Sequence, residues 1–168
     1  MITESLPARS EEKFSRSIEE TYLTYANMIY WVCFSYMKNA ADTEDMVSDV
    51  FVKLIKSKVE FQNEEHEKAW LLRTAINLCK DNLKNWRRKC VDINEYENLQ
   101  SESRLETNET LTAVMGLPDR YKDAVYLYYY EGYSVSEIAQ ILKKPQSSVK
   151  VHLHKARKIL KGVLENEE

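Results

Sequence analysis

The stretch QSSVKVHLHKARK at 146–158 gathers Lys150, His154, Lys155, Arg157 and Lys158 within little more than two helical turns. No Asp or Glu occurs between Ile138 and Leu164, although the chain carries a formal charge of −3. The chemistry open to such a set is recognition of a polyanion. Lys and Arg donate charge-assisted hydrogen bonds to phosphate oxygens, while Lys, Ser and apolar side chains near a helix start reach base edges in a DNA major groove. A second set, Arg73, Asn77, Lys80, Lys84 and Arg87, steps by four, three, four and three, so its members share one helix face. Arg88 and Lys89 extend that charge, and Trp86 supplies a ring able to support an unstacked base. A third set has the opposite sign. Asp45, Ser48, Asp49 and Val52, with Met46 at their border, place acids beside apolar groups, which suits a protein partner better than DNA.

Other chemistries find no footing. His66, His152 and His154 form no nucleophile constellation, because residues two apart point to different sides of a helix. No glycine-rich phosphate loop and no zinc-ligand spacing occurs, so no metal, cofactor or enzymatic activity is expected. Cys33, Cys79 and Cys90 make no CxxC pair; Cys33 and Cys79 fall among apolar residues and read as small buried hydrophobes of an intracellular chain. The start, MITESLPARSEEK, is polar and acidic, unlike a signal peptide. No stretch approaches the roughly 20 apolar residues of a spanning helix. A cytoplasmic location without membrane insertion is the expectation.

The elements that position these sets follow from composition and period. With 43% hydrophobic and 30% charged residues but only three glycines and three prolines, the 168-residue chain should be all-α. From Ile18 to about Met37, Tyr22, Tyr25, Ile29, Val32 and Tyr36 recur at helical spacing. Asp42 is placed to cap a second helix whose buried stripe is Val47, Val50, Phe51, Leu54 and Ile55. Phe61–Glu65 reads as a loop. A third helix runs from about Glu67 to Lys89 with Leu72, Ile76, Cys79, Leu83 and Trp86 inward.

Beyond it, Asp92, Glu95, Glu97, Glu102, Glu106 and Glu109 face a single Arg104, which is linker composition. Leu111–Met115 is a short helix stopped by Gly116; Pro118 opens another, and Gly132 lies past its end. Ser134 with Glu137 is a capping box for Val135–Leu142, and Pro145 separates that helix from the basic one. Ile138, Ala139, Ile141 and Leu142, then Val149 and Leu153, fit a helix-turn-helix, with Ala156 and Leu160 continuing the inward side. The expected organisation is a tail (1–17), a helical domain (18–90), an acidic linker (91–110) and a helix-turn-helix domain (111–168).

Three segments, DTEDMVSDVF at 42–51, EKAWLLRTAINLCKDNLKNWRRK at 67–89 and LPDRYKDAVYLYYYEGYSVSEIAQILKKPQSSVKVHLHKARKIL at 117–160, together closely resemble an extracytoplasmic-function (ECF) sigma factor of bacterial RNA polymerase. The resemblance implies binding to core polymerase and direction of promoter recognition, melting and initiation. It implies that Asp45, Met46, Ser48, Asp49 and Val52 dock on the clamp helices of the largest subunit. It implies that the Trp70–Arg88 helix opens the downstream (minus-ten) element, with Asn77 at a base-contacting position and Arg73, Lys80, Lys84, Trp86, Arg87 and Arg88 beside it. Phe61, Gln62 and Asn63 would receive a flipped base. Ser147, Ser148, Lys150, Val151, His154, Lys155, Arg157 and Lys158 would read the upstream (minus-thirty-five) element. The acidic segment would thread toward the RNA exit path, and an anti-sigma factor is a further candidate partner. The chain departs from the pattern at Lys143 and Ser147, where relatives often have Gly, and at His152, where many carry Arg.

A two-domain transcriptional regulator with an N-terminal sensor domain is the competing reading. It predicts a ligand pocket within 18–90 and leaves the Arg73–Arg87 face without a purpose.

Overall fold

The computed structural model describes residues 13–89 and 109–165, and within them the side chains of all but 88–89, 109–111 and 164–165. Most of the acidic linker, and the expectation attached to it, lies outside the described residues. All regular structure among the described residues is helical.

Helix α1 spans Ile18–Met37 and begins at a capping box. Ser17 Oγ accepts from the Glu20 N–H at 3.1 Å, and the Glu20 carboxylate accepts from the Ser17 N–H at 3.3 Å. The helix stops at Lys38, held in the left-handed region at φ 63°. Helix α2 spans Ala40–Ser57. Its cap is Asn39, whose side chain accepts from the Asp42 N–H at 2.8 Å and donates to the Asp42 carboxylate at 2.7 Å. Asp42 therefore lies inside the first turn instead of capping it, because the left-handed Lys38 turns the chain so tightly that the next helix starts at once. Helix α3 spans Glu64–Lys89, starting three residues earlier than the periodicity predicts. Asn63 Oδ1 caps it through the His66 N–H at 2.8 Å.

These three helices share a core of Ile29, Val32 and Cys33 from α1, Val50 and Leu54 from α2, and Leu72, Ile76 and Cys79 from α3. Three members of the expected stripes lie outside it: Ile55, Tyr22 and the half-buried Trp86. Ile55 is 56% exposed and Tyr22 49%, whereas Met46, expected at a border, is only 6% exposed. Helical geometry gives the reason for α2: at about 100° per residue, Met46 falls about 40° from Val50 and Ile55 about 140° from it. Tyr22 lies over the edge of the core, its ring meeting Phe51 edge-on at 5.0 Å. The start of α3 is tied to the chain before α1 through the buried Glu67, which accepts from Thr21 Oγ1 at 2.7 Å and Arg16 at 2.9 Å.

The second group comprises α4 (Glu109–Met115), α5 (Asp119–Val125), α6 (Val135–Leu142) and α7 (Gln146–Glu165). Helix α5 widens into a π-helical turn over Tyr126–Tyr130, where the Glu131 N–H reaches the Tyr126 carbonyl at 3.3 Å. Gly132 at φ 72° then reverses the chain, a conformation open to glycine at little cost. The capping box at Ser134 and Glu137 forms, with bonds of 3.2 and 2.8 Å. Lys143 ends α6 at φ 52°, the left-handed geometry to which glycine is best suited. Helices α5 and α6 both pack on α7 through Val149, Leu153 and Ala156. The two groups also meet each other, α6 on α3 and α4 on α1, so that their buried apolar residues form one continuous cluster.

Candidate nucleic-acid and polymerase interface

Helix α7 presents its basic side as expected. With Val149, Leu153 and Ala156 buried, the opposite side exposes Ser147, Lys150, Val151, His154, Lys155, Arg157 and Lys158, and Ser148 is half-buried at the helix start. Arg157 is held in place: its Nε–H donates to Tyr129 Oη at 2.6 Å, and its guanidinium lies 5.5 and 5.7 Å from the Tyr128 and Tyr129 ring centres. These tyrosines come from the π-helical turn. Sequence reasoning missed them, although the run YLYYY at 126–130 carried the signal. His152 lies on the flank, half-buried with its ring 5.4 Å from that of Tyr121. Burial and then Lys144 lower its pKa.

The α3 stripe divides in two. Asn77 and Lys84 are exposed, whereas Arg73 and Lys80 are half-buried and, with the still exposed Arg87, turn toward the second helical group at a spacing of seven. Lys80 pairs with the buried Asp123, and Arg87 donates to Asp119 at 3.0 Å. Arg73 lines a hollow of about 420 Å3 with Trp70 of α3 and Tyr133, Glu137, Gln140 and Ile141 of the second group. Trp86 is half-buried, and the Arg88 side chain lies outside the described residues. In the preceding loop, Phe61 meets the rings of His66 and Trp70 edge-on, Gln62 is exposed, and Asn63 caps α3.

On α2, Asp45, Ser48, Asp49 and Val52 are exposed along one line, so this set is brought together. Met46 is the correction: its side chain belongs to the core and cannot present a contact surface. In its place the exposed Ile55 extends the line by one further turn, and Ile18 and Tyr22 of α1 add apolar surface nearby. Ile55 was legible from its phase relative to Val52.

An acidic set unforeseen from the sequence completes the geometry. Lys122, 1% exposed, sends its Nζ to the Ser35 carbonyl at 2.8 Å, with Asp119 at 3.4 Å and the Tyr36 ring at 5.1 Å. Lys68 of α3 pairs with Glu131 at 3.1 Å. Among the described residues no group of three potential metal ligands is gathered, and no helix is long and apolar enough to cross a membrane.

Two families match side by side. Sigma-70 region 2 covers residues 21–89, and sigma-70 region 4 covers residues 107–160. The RNA polymerase sigma factor SigV of Bacillus subtilis (strain 168) is 30% identical over 145 residues, covering 83% of this chain and 86% of its own. The chain belongs to the ECF sigma factors. ECF sigma factor SigM of the same organism is 27% identical, covering 88% of this chain and 94% of its own. Among solved structures, sigma factor RpoE in complex with the anti-sigma factor NepR, from Bartonella quintana, superposes with a TM-score of 0.70 at 18% identity, covering 89% of this chain and 98% of that one. CnrH, solved with the cytosolic domain of CnrY, gives 0.64 at 18% identity over 90% and 89%. Both share the all-helical fold. As a sigma factor, the chain acts in promoter recognition with RNA polymerase. The basic helices and the acidic α2 face are therefore surfaces of a transcription initiation factor.

Proposed function

We propose that α2 of this sigma factor docks on the clamp helices of the largest polymerase subunit through Asp45, Ser48, Asp49, Val52 and Ile55. On this reading the group spanning residues 18–90 also handles the downstream element through α3. The group from 111 to the chain end reads the upstream element through α7, and the acidic segment between them lies along a positive channel of the enzyme. The observation that carries the assignment is the undivided face of α7, where Lys150, Val151 and His154 sit exposed opposite Val149 and Leu153. Near the start of a helix such side chains reach base edges, and Lys155, Arg157 and Lys158 reach phosphates. The chain supplies no catalytic group: the polymerase performs the chemistry in the cytoplasm, and the sigma factor supplies position. An anti-sigma protein, of the kind solved with RpoE, is a fitting regulator of such a chain.

Run-off transcription with core polymerase on a promoter library tests the reading. Initiation from a subset of promoters, dependent on this chain and redirected by Lys150→Ala, is the expected result. Tight, sequence-specific duplex binding by the chain without polymerase would overturn it in favour of an independent regulator.

A further inference from the structure

We propose that Tyr129 and Arg157 form a two-residue clamp for one backbone phosphate of duplex DNA, the tyrosine hydroxyl donating to the same phosphate as the guanidinium. The proposal rests on the reading of α7 as the upstream-element helix, and it adds a contact from the π-helical turn, outside that helix. Arg157 lies seven residues beyond Lys150, within about 20° of it around α7 and about 10 Å further along. It thus shares the exposed side that carries Lys150 and His154. So far from the helix start, side chains meet phosphates more readily than base edges. Its partner comes from another element: Tyr129, 28 residues away in sequence and 54% exposed, accepts the Arg157 Nε–H on Oη at 2.6 Å.

The bonding of the pair leaves both groups with donors unused. A guanidinium carries five N–H groups in a planar fork. The one on Nε is taken by Tyr129, so the two terminal nitrogens present an edge suited to two phosphate oxygens. Because Oη already accepts, its own O–H points elsewhere, and no residue among those described accepts it. Accepting a charge-assisted bond polarises that O–H and makes it a stronger donor. The brace also leaves the cation's charge in place. Among the described residues no carboxylate pairs with Arg157, in contrast to Lys80 and Arg87. A phenol and two rings, with centres 5.5 and 5.7 Å from the guanidinium carbon, hold it instead, and the rings of Tyr128 and Tyr129 meet edge-on at 4.9 Å. A bond made only for stability gains most where water is excluded, yet both side chains are exposed. A fully charged fork and a polarised hydroxyl, fixed side by side on an open surface, match a phosphate.

The test uses the full chain with core polymerase on a fluorescein-labelled duplex promoter taken from the run-off library. A series of such duplexes carries one neutral methylphosphonate at a time across the upstream element, and apparent affinity is read by anisotropy. At one position neutralisation should weaken wild-type binding roughly tenfold, the scale of hydrogen bonds to a charged group. Tyr129→Phe keeps the ring beside the guanidinium and removes only the hydroxyl. It should lose a similar factor on the native duplex and little more when that one phosphate is neutral, while matching wild-type sensitivity at every other position. Added to Arg157→Met, Tyr129→Phe should weaken native-duplex binding by a further several-fold, because the hydroxyl reaches the phosphate itself. No further loss in that background would mean that Tyr129 only positions Arg157, and overturns the clamp. Binding by Tyr129→Phe at wild-type strength, or weakened by one factor on all duplexes alike, overturns it too. Lys150→Ala on the same duplexes keeps the outcomes apart: if it still shifts promoter preference, only the clamp fails. Neutralisation without effect anywhere in the upstream element overturns the clamp together with the assignment of α7.

Discussion

Helices α3 and α7 both carry a stripe of Lys and Arg, but they meet different surroundings. On α7 the side chains from Lys150 to Lys158 face outward, and Arg157 is braced by Tyr129 on its own group. On α3 the cations spaced by seven, Lys80 and Arg87, are matched by Asp123 and Asp119 of the other group. The same residue types thus produce one open surface and one partly engaged by a neighbouring group. The difference teaches that charge pattern specifies what a face can bind, while packing specifies when it can bind.

The largest expected effect comes from reversing the charge of the α2 face. If α2 docks on polymerase, Asp45→Lys with Asp49→Lys should abolish co-elution with core enzyme, a loss of about 100-fold or more from juxtaposed like charges. Helicity by circular dichroism should be unchanged, because both side chains are exposed. Co-elution at wild-type strength would remove α2 from the docking surface.

Next in size is the pH response of the packing between the two helical groups, the closed form in which Lys122 is buried. Burial lowers the Lys122 amine to about 8, with Asp119 opposing the shift and Lys38 and Arg87 adding to it. A lysine with a lower pKa in the closed form penalises closure wherever it is charged in both forms. That penalty is full below about pH 8 and fades as pH rises toward the ordinary 10.5. Its ceiling is about 3 kcal/mol, one pKa unit being worth about 1.4 kcal/mol. Tyr36 and Cys79, which also face the amine, are shifted upward, the first by burial and the second by its contact with Cys33, and stay protonated in this window. The thermal melting temperature should therefore rise with pH between about 8 and 10.5, and Lys122→Met should flatten the profile. A wild-type profile that falls or stays level would show that Lys122 is not at the contact in solution.

The open stripe on α7 is sharpened by separating its base-reading end from its phosphate end. Lys150→Ala or His154→Ala should cost roughly 1–3 kcal/mol on preferred promoters and little on others. Lys158→Ala should weaken all promoters alike and reduce the salt slope by about one. If Lys150→Ala lowers every promoter equally in quantitative transcription, the division along α7 is misplaced. The smallest effect concerns the turn that aims this helix. At φ 52°, Lys143 holds a conformation that costs a non-glycine residue about 1 kcal/mol, so Lys143→Gly should raise stability by that order in a denaturant titration. A destabilised Lys143→Gly would mean that the side chain contributes more than its backbone costs.

Much of this molecule was legible one element at a time. Ser134 and Glu137 gave the start of α6, Pro145 its separation from α7, and Val149, Leu153 and Ala156 the buried side of α7. These are contacts between residues three or four apart, and period and capping encode them directly. Errors arose where a local rule had two solutions: Asn39 won the cap from Asp42, and Met46 and Ile55 exchanged places once the stripe was centred on Val50. The tertiary structure alone decided the fate of the α3 stripe. Lys80 and Asp123 stand 43 residues apart, and the Lys122 amine meets a carbonyl 87 residues away. No periodicity links such positions. Their meeting depends on how two amphipathic groups bury their remaining apolar faces together, a property of the assembled surfaces and not of any one segment.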